Sequence, residues 1–459
     1  MFSKLKNMFS RIATAIWGKF ESREEIYKFL NLATIFAFII GILWALHPLK
    51  DSIFGATVGI EHQPWARILS VSVIFPLVIL YTKLVDRFQR DKIFYILIAG
   101  YALVGLIFMA ILSTNTYGLG NLTVSPWRII GWLWYVYVES YGSLIIALFW
   151  VIVTDITLPD SAKRGFPLIF LFGQLGNFAG PYFFRAQRFG FSTSVPIIGF
   201  CSGLMVFTGF LLWRFFRKTP EGQILGYTGK RMLDKKEPKV TFFQGLQHIF
   251  KHGYLLGILF IVTVYEFIVV IFDYQFKVMA KAAYPQEAVN AAYLADFGIY
   301  TGVAATLCVL FGTKNIQRKF GMFGSLFIVP LLVLAAILTF KFKPDLSVLF
   351  WIMVFAKAVT YALNNPIVKQ LYIPLSKEAR YKSQGWIQMF GGRFTKSIAS
   401  MVNLSRGLFI TQYGAIAGIQ LFLILSSSLS IALVFVWFFV AFYLAKKHRK
   451  AISEKSVVC

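Results

Sequence analysis

The sequence of 459 residues is poor in charge, and poorest in negative charge. Only 14% of its residues are charged, with 20 Asp and Glu against 46 Lys and Arg, while 58% are hydrophobic and the mean hydropathy is +0.67. Soluble globular domains carry roughly 25% charged residues, so the composition excludes that class and predicts a polytopic membrane protein. The basic residues are spread between apolar runs, which predicts positive-inside topology rather than binding of nucleic acid.

Cysteine and histidine are scarce as well. Of the 3 cysteines, Cys201 and Cys308 lie in apolar runs and Cys459 is the last residue, so no disulfide framework is indicated. The 5 histidines have no convincing catalytic or metal-binding partners in the sequence. We therefore predict no metal, no cofactor and no catalytic residue. A polytopic membrane enzyme, such as a lipid-modifying transferase, is the alternative from a different functional class.

Twelve apolar runs approach the roughly 20 residues that a helix needs to cross a bilayer. They lie at 29–48, 65–84, 93–113, 128–154, 166–185, 195–216, 254–276, 297–313, 320–340, 346–366, 386–408 and 414–445. The predicted fold class is thus an all-α polytopic membrane protein with about twelve transmembrane helices. The stretch GGRFTKS places Arg393 and Lys396 in the eleventh run, and a re-entrant or surface segment is the alternative for it.

The segments outside these runs set the predicted domain organisation. Residues 1–28 have hydrophobic residues at helical spacing between basic ones, which predicts a cytoplasmic amphipathic helix rather than a signal peptide. A basic cytoplasmic linker at 217–253 separates an N-terminal six-helix half, 29–216, from a C-terminal half, 254–445. The tail at 446–459 is also basic, so both termini are predicted to be cytoplasmic.

A weak internal repeat supports the division into two halves. The stretch from Ile156 to Lys163, before span five, resembles the stretch from Ile373 to Arg380, before span eleven, at one constant offset. A glycine-containing polar helix follows each, GQLGNFAG in the first half and GGRFTKS in the second. Two related halves with a site between them at mid-membrane are typical of secondary transporters.

Charged residues inside the spans are the candidates for that site. A charge at the centre of a membrane helix costs about 2.5 to 3.5 kcal/mol on insertion scales, so it normally has a partner or faces water. Such charges occur in or beside the spans at Lys50, Asp51, Arg67, Glu139, Glu266, Asp273, Lys357, Arg393 and Lys396. The surplus of cations favours the path of an anionic solute, whereas buried ion pairs that fix helix packing are the structural alternative.

These segments resemble a known family. Span one ends in HPLKDSIFGATVG, span four reads VESYGSLIIALFW and is followed by TDITLPDSAKRGFPL, span seven ends in DYQFKVMAKAAYP, DFGIYTG lies in span eight, and span eleven contains GGRFTKS. In this order they resemble the ATP/ADP translocases, the nucleotide transporters of obligate intracellular bacteria and plastids. The resemblance covers nearly the whole chain. It implies a major-facilitator-like fold and nucleotide transport by alternating access.

The resemblance also implies roles for individual residues. The family's acid of the fourth span falls on Glu139, and its lysine of the eleventh span on Lys396. Its acid of the seventh span, usually glutamate, falls on Asp273, and a lysine of the same motif on Lys277. The lysine near the second span has no identical counterpart, and Arg67 is the nearest basic residue. The family also has a Lys-Asp pair at the end of its first span, which falls on Lys50 and Asp51, and Arg393 is the other basic residue of GGRFTKS. We therefore predict that substrate binding and transport involve Lys50, Asp51, Arg67, Glu139, Asp273, Lys277, Arg393 and Lys396.

Binding of a nucleotide is expected to require particular protein groups around its phosphates, base and ribose. Phosphates need Lys or Arg in a low-dielectric cavity, and a base and ribose need aromatic, amide or hydroxyl groups. Such contacts are predicted for Tyr135, Tyr141, Gln174 and Asn177. The default alternative for the aromatic residues is packing or contact with lipid.

The expected activity is exchange of ATP for ADP across a bacterial cytoplasmic membrane by a monomer embedded in the bilayer. Asp273 is one methylene shorter than glutamate, and Arg67 offers a planar fork instead of the point charge of lysine. Both departures touch positions expected to select the substrate. Transport of NAD, GTP, UTP or CTP, with or without proton coupling, is therefore the alternative within the same family.

Overall fold

The computed structural model describes residues 20, 22–87, 90–219, 247, 249–308, 313–360, 364–376, 383, 387, 391–454 and 458. Within these ranges the chain is helical and contains no strand. The helices are α1 (Arg23–Thr57), α2 (Gln63–Arg87), α3 (Arg90–Leu112), α4 (Ile129–Asp155), α5 (Pro159–Phe183), α6 (Val195–Lys218), α7 (Gly253–Ala283), α8 (Glu287–Leu307), α9 (Thr313–Phe342), α10 (Leu346–Val359), α11 (Asn365–Leu371), α12 (Gly392–Tyr413) and α13 (Ala415–Ser453). Short 3-10 turns follow α1 at Ile60–His62 and α5 at Ala186–Phe189.

Within the described residues, each of the twelve predicted spans overlaps one of these helices, and span ten also reaches the start of the short α11. Seven described helical segments are long and apolar enough to cross a membrane: α1, α3 from Asp91, α4, α6, α7, α9 from Phe323, and α13. The prediction of an all-α membrane protein is thus confirmed, and the count of twelve spans stays a prediction. Most of the predicted amphipathic helix at 1–28 and most of the linker at 217–253 lie outside the described residues.

The described helices form two compact units. The first consists of described residues within Met1–Val58, Val73–Lys236 and Gln286–Ile299, and the second of those within Gly59–Ser72, Glu237–Pro285 and Tyr300–Cys459. Most of each unit comes from one half of the sequence, but the start of α2 belongs to the second unit and the start of α8 to the first. The predicted halves at 29–216 and 254–445 stay a prediction.

In the first unit, α1 is held at its N-terminal end by polar contacts. Ser22 caps the helix by accepting a hydrogen bond from the Glu25 amide, 3.0 Å away. The Glu25 carboxylate pairs with Arg164 at 2.9 Å and also accepts from Ser161. Lys28 donates to the main-chain carbonyl of Ile156. The stretch before span five, which the internal repeat singled out, therefore fixes the start of α1 to α4 and α5.

Small residues bring α1 and α5 into close contact along their length. A methyl group at Gly176 would collide with the carbonyl oxygen of Ala37, and one at Gly180 with that of Gly41. Because lipid provides no hydrophobic force between helices, such close backbone packing is a main source of helix association in membranes. The glycines of GQLGNFAG thus serve packing.

Gly176→Ala tests this packing. The added methyl has no room against the α1 backbone, so we expect the variant to lose about 1 to 3 kcal/mol of stability. Thermal unfolding followed by size-exclusion chromatography in detergent measures the loss. Gly203→Ala on α6 is the matched control, since no atom lies within 4 Å of its Cβ position. A Gly176→Ala variant that melts with the control would refute the packing role.

Candidate functional site

Three cations surround one carboxylate in the second unit. Asp273, on α7 and 8% exposed, accepts from the guanidinium of Arg67 on α2. Lys277, one helical turn further along α7, places Nζ 2.8 Å from Oδ2 of Asp273. Lys357 on α10 places Nζ 3.5 Å from Oδ1 of the same carboxylate. We call Arg67, Asp273, Lys277 and Lys357 the Asp273 cluster.

The Asp273 cluster has an excess of positive charge. One carboxylate faces three cations, so its formal charge is +2, and all four side chains are at most 21% exposed. Three cations that share one carboxylate repel one another unless an additional anion or water compensates their charge. The cluster is therefore suited to receive an additional anionic group.

Local structure explains how Arg67 reaches the cluster. Between α1 and α2 the chain turns at Gly59, whose φ of +106° disfavours any residue with a Cβ. The 3-10 turn Ile60–His62 follows, and Tyr274 donates from its hydroxyl to the Glu61 carbonyl at 3.4 Å. Arg67 lies just over one turn into α2, so this bond holds the start of α2 beside Asp273.

The two positions that depart from the family pattern are in direct contact. The side chain of Asp273 is shorter than that of glutamate, and the side chain of Arg67 is longer than that of lysine and ends in a forked cationic group. The two side chains form an ion pair. The shorter carboxylate is thus matched by a longer cationic partner.

A second set of polar contacts connects α12 to α7. Lys396 lies 3.7 Å from Glu266, and its side chain is 51% exposed. Asn403, 1% exposed, donates to the Val270 carbonyl at 3.3 Å, and Arg67 reaches the same oxygen at 3.5 Å. Arg393 is half-buried and lies one turn before Lys396. The cations of the eleventh span therefore lie on a helix that is bonded to the segment carrying Asp273.

In the first unit, Lys50 is the partner of Glu139. The two side chains form an ion pair between α1 and α4, with Lys50 3% and Glu139 31% exposed. The ammonium also lies 4.5 Å above the ring centre of Tyr135, a cation–π contact. Asp51, next along α1, is 4% exposed. Lys50 is thus fully engaged, while the carboxylate of Glu139 remains partly accessible.

The residues predicted to contact a base or ribose have different surroundings. The ring of Tyr135 forms the cation–π contact with Lys50. Tyr141 is fully buried in the hydrophobic core of the first unit, where it packs against Tyr101. Gln174 is exposed on α5. Asn177 is 8% exposed, and its Oδ1 has no hydrogen-bond partner among the described residues. The burial of Tyr141 favours packing, and substrate contact by these four residues stays a prediction.

The sequence prediction did not include Lys357 among the site residues. Its charge in span ten was visible, but nothing in the sequence related it to Asp273, which lies 84 residues earlier. Within the described ranges no group of three or more His, Cys, Asp and Glu side chains is arranged to hold a metal ion.

Comparison with known families decides what kind of chain this is. The family model described as TLC ATP/ADP transporter matches residues 2–344 and 346–448. The chain belongs to this family. The match confirms the resemblance drawn from the sequence and identifies the chain as a multi-pass membrane transporter rather than an enzyme.

Individual relatives agree with the TLC family assignment. The chain is 25% identical to ADP,ATP carrier protein 1 of Rickettsia typhi, covering 98% of this chain and 99% of the relative. It is also 25% identical to ADP,ATP carrier protein 4 of the same organism, covering 86% and 87%.

Solved structures confirm the major-facilitator-like fold. The nucleoside transporter NupG superposes with a TM-score of 0.64 at 15% identity, covering 90% of this chain and 99% of that one. A bacterial homologue of the lysosomal transporter Spinster, inward-facing and unoccupied, gives a TM-score of 0.62 at 13% identity, covering 94% and 99%.

Asp273→Asn tests the charge balance of the cluster. Removing the one carboxylate leaves three close cations without their partner, and breaking a buried ion pair from one side costs about 3 kcal/mol or more. We expect a lower melting temperature for the purified variant. Adding Lys357→Gln removes one of the repelling cations, so the double variant should recover part of the loss. Full additivity of the two substitutions in thermal melts would contradict the coupling.

Proposed function

We propose that the chain exchanges cytosolic ADP for external ATP by alternating access, without hydrolysis. The observation that carries the proposal is the Asp273 cluster, in which Arg67, Lys277 and Lys357 share one carboxylate. A nucleotide di- or triphosphate supplies the negative charge that this cluster lacks. Charge-assisted hydrogen bonds to phosphate are among the stronger polar interactions in proteins. Membership of the TLC family and the names of the ADP,ATP carrier relatives support the choice of nucleotide.

In this mechanism Asp273 holds the cations when the site is empty. The incoming phosphates take its place beside Lys277 and Lys357, and the carboxylate moves to an outer position or into water. Because three cations cannot stay unpartnered at membrane depth, the empty carrier keeps its ion pairs and reorients slowly. Binding of a nucleotide replaces those pairs and allows reorientation. Obligatory exchange follows from this difference between the empty and the loaded carrier.

Further substrate contacts are proposed for Lys50 and Glu139 in the first unit and for Lys396 in the second. Glu139 is partly accessible and paired with Lys50, so a nucleotide that attracts Lys50 would release the acid. Lys396 is half-exposed and only loosely paired with Glu266 at 3.7 Å, which leaves its ammonium available for phosphate. The protein is proposed to act as a monomer in a bacterial inner membrane, with both termini cytoplasmic.

Lys396→Gln should abolish transport while leaving folding intact. The side chain is half-exposed, so its loss removes a phosphate contact without unpacking a core. We expect uptake of labelled ATP by intact cells to fall at least about tenfold, as expected for loss of a charge-assisted contact. Lys343→Gln, an exposed lysine just beyond α9, is the matched control and should transport normally. Normal uptake by Lys396→Gln at equal expression would exclude the role.

Substrate choice and coupling are tested by uptake of labelled ATP, ADP, GTP, UTP, CTP and NAD into cells that express the chain. Exchange predicts that ATP uptake is competed by ADP, unaffected by a proton uncoupler, and stimulated by internal ADP in liposomes. Preference for NAD or for another nucleotide would assign the chain to the alternative within the family. Loss of uptake with the uncoupler would establish proton coupling instead. Equal rates with and without internal nucleotide would contradict obligatory exchange.

A further inference from the structure

A basic cavity lies in the first unit, away from both groups of membrane charges. It has a volume of about 320 Å³ and opens between the first turns of α1 and the last turns of α6. Lys28, Arg214 and Lys218 line it together with one acid, Glu24, so its ionisable lining carries a formal charge of +2. None of these residues belongs to the Asp273 cluster or to the Lys50–Glu139 pair.

Two of the cations are available for a ligand. Arg214 and Lys218 are exposed at the end of α6, and within the described residues neither forms an ion pair. Lys28 is buried at the cavity wall, where it donates to the Ile156 carbonyl. The amide side chain of Asn31 adds a polar group to the same wall. The lining therefore offers several donors to an anionic group.

An aromatic stripe on α6 precedes the residues of that helix that line the cavity. Phe207, Phe210 and Trp213 follow one another at intervals of three residues and are 41%, 48% and 44% exposed. Their rings stack in sequence, with centroids 6.4 Å and 5.7 Å apart. Arg217 then covers Trp213, with its guanidinium carbon 4.9 Å from the ring centre. An exposed apolar face that ends in Trp and Arg is typical of a helix leaving the hydrocarbon for the headgroup region.

We propose that this cavity binds the phosphate headgroup of an anionic phospholipid, whose acyl chains lie along the stripe from Phe207 to Trp213. The basic lining matches a phosphodiester, and the stripe matches the hydrocarbon attached to it. A free phosphate ion would contact only the basic lining and would leave the aromatic stripe unused. Basic pockets at the cytoplasmic ends of membrane helices suit anionic headgroups, because lipids of that leaflet carry the negative charge.

Binding at this position has a structural consequence. The same end of α1 is tied to α5 through Glu25 and Arg164, and to α4 through Lys28. A headgroup between α1 and α6 adds a bond from this end of α1 to a third neighbour. The bound lipid therefore stabilises this end of the first unit, and the proposal does not depend on which solute is transported.

The test compares retained lipid between two charge-matched variants. The full chain is equilibrated in micelles that contain equal amounts of phosphatidylglycerol and phosphatidylcholine, repurified, and its bound lipids are quantified. Arg214→Gln/Lys218→Gln removes the two available cations of the cavity. Lys446→Gln/Lys447→Gln removes two exposed cations near the end of α13 and is the control for overall charge.

The wild type should retain phosphatidylglycerol in preference to phosphatidylcholine. In the cavity variant the ratio should fall about tenfold, since each basic residue beside an anionic headgroup contributes several-fold, and in the control it should change less than about twofold. The single variant Lys218→Gln, with a loss of about threefold, is the second test if the double variant is unstable. No lipid preference in the wild type, an unchanged ratio in the cavity variant, or equal losses in the control overturn the proposal.

A further measurement distinguishes the lipid from a soluble anion. Inorganic phosphate is added to the wild type and to the cavity variant in micelles that contain only phosphatidylcholine. Thermal stabilisation of the wild type alone, without any preference for phosphatidylglycerol, identifies a site for free phosphate and overturns the lipid proposal. Absence of stabilisation by phosphate together with the lipid preference supports it.

Discussion

The carboxylate of Asp273 is the group on which the charged interior of the second unit depends. Arg67, Lys277 and Lys357 all contact it, from α2, α7 and α10 respectively. A charge at membrane depth is tolerated only with a partner or with water. One acid therefore sets the position of three cations and leaves them with an excess of charge. A transporter for an anion requires this combination, because the site must be stable when empty and still attract its substrate.

The sequence predicted the membrane helices well, because the spans are long and their hydropathy is high. All twelve predicted runs overlap described helices. The helix of the eleventh run, α12, is not among the seven that are long and apolar enough to cross a membrane, so a surface segment stays the alternative for it. The charge inventory was also informative, since all four residues of the Asp273 cluster are charged residues in or beside predicted spans. The assignment to the TLC family followed from motifs that extend over nearly the whole chain.

The partners within the site could not be predicted, because they are far apart in sequence. Glu139 pairs with a lysine 89 residues earlier, and Arg67 with an acid 206 residues later. Hydropathy predicts which segments form membrane helices, but it does not predict which faces of these helices contact one another. Lys357 was missed for this reason, and Tyr141 was chosen although its side chain is packed in a core. The glycines of α5 were visible in the sequence, but only the α1 backbone beside them shows that they serve packing.

The most direct test of the account is the affinity of purified Asp273→Asn for ATP. If Asp273 occupies the cations in place of the substrate phosphates, removing its charge relieves the competition, and ATP should bind about fivefold or more tightly than to the wild type, as expected when a competing charged contact of about 1 kcal/mol is lost. Binding can be measured by titration of labelled ATP in detergent. Affinity equal to or weaker than that of the wild type, in a variant that elutes as a folded protein, would contradict the exchange of carboxylate for phosphate.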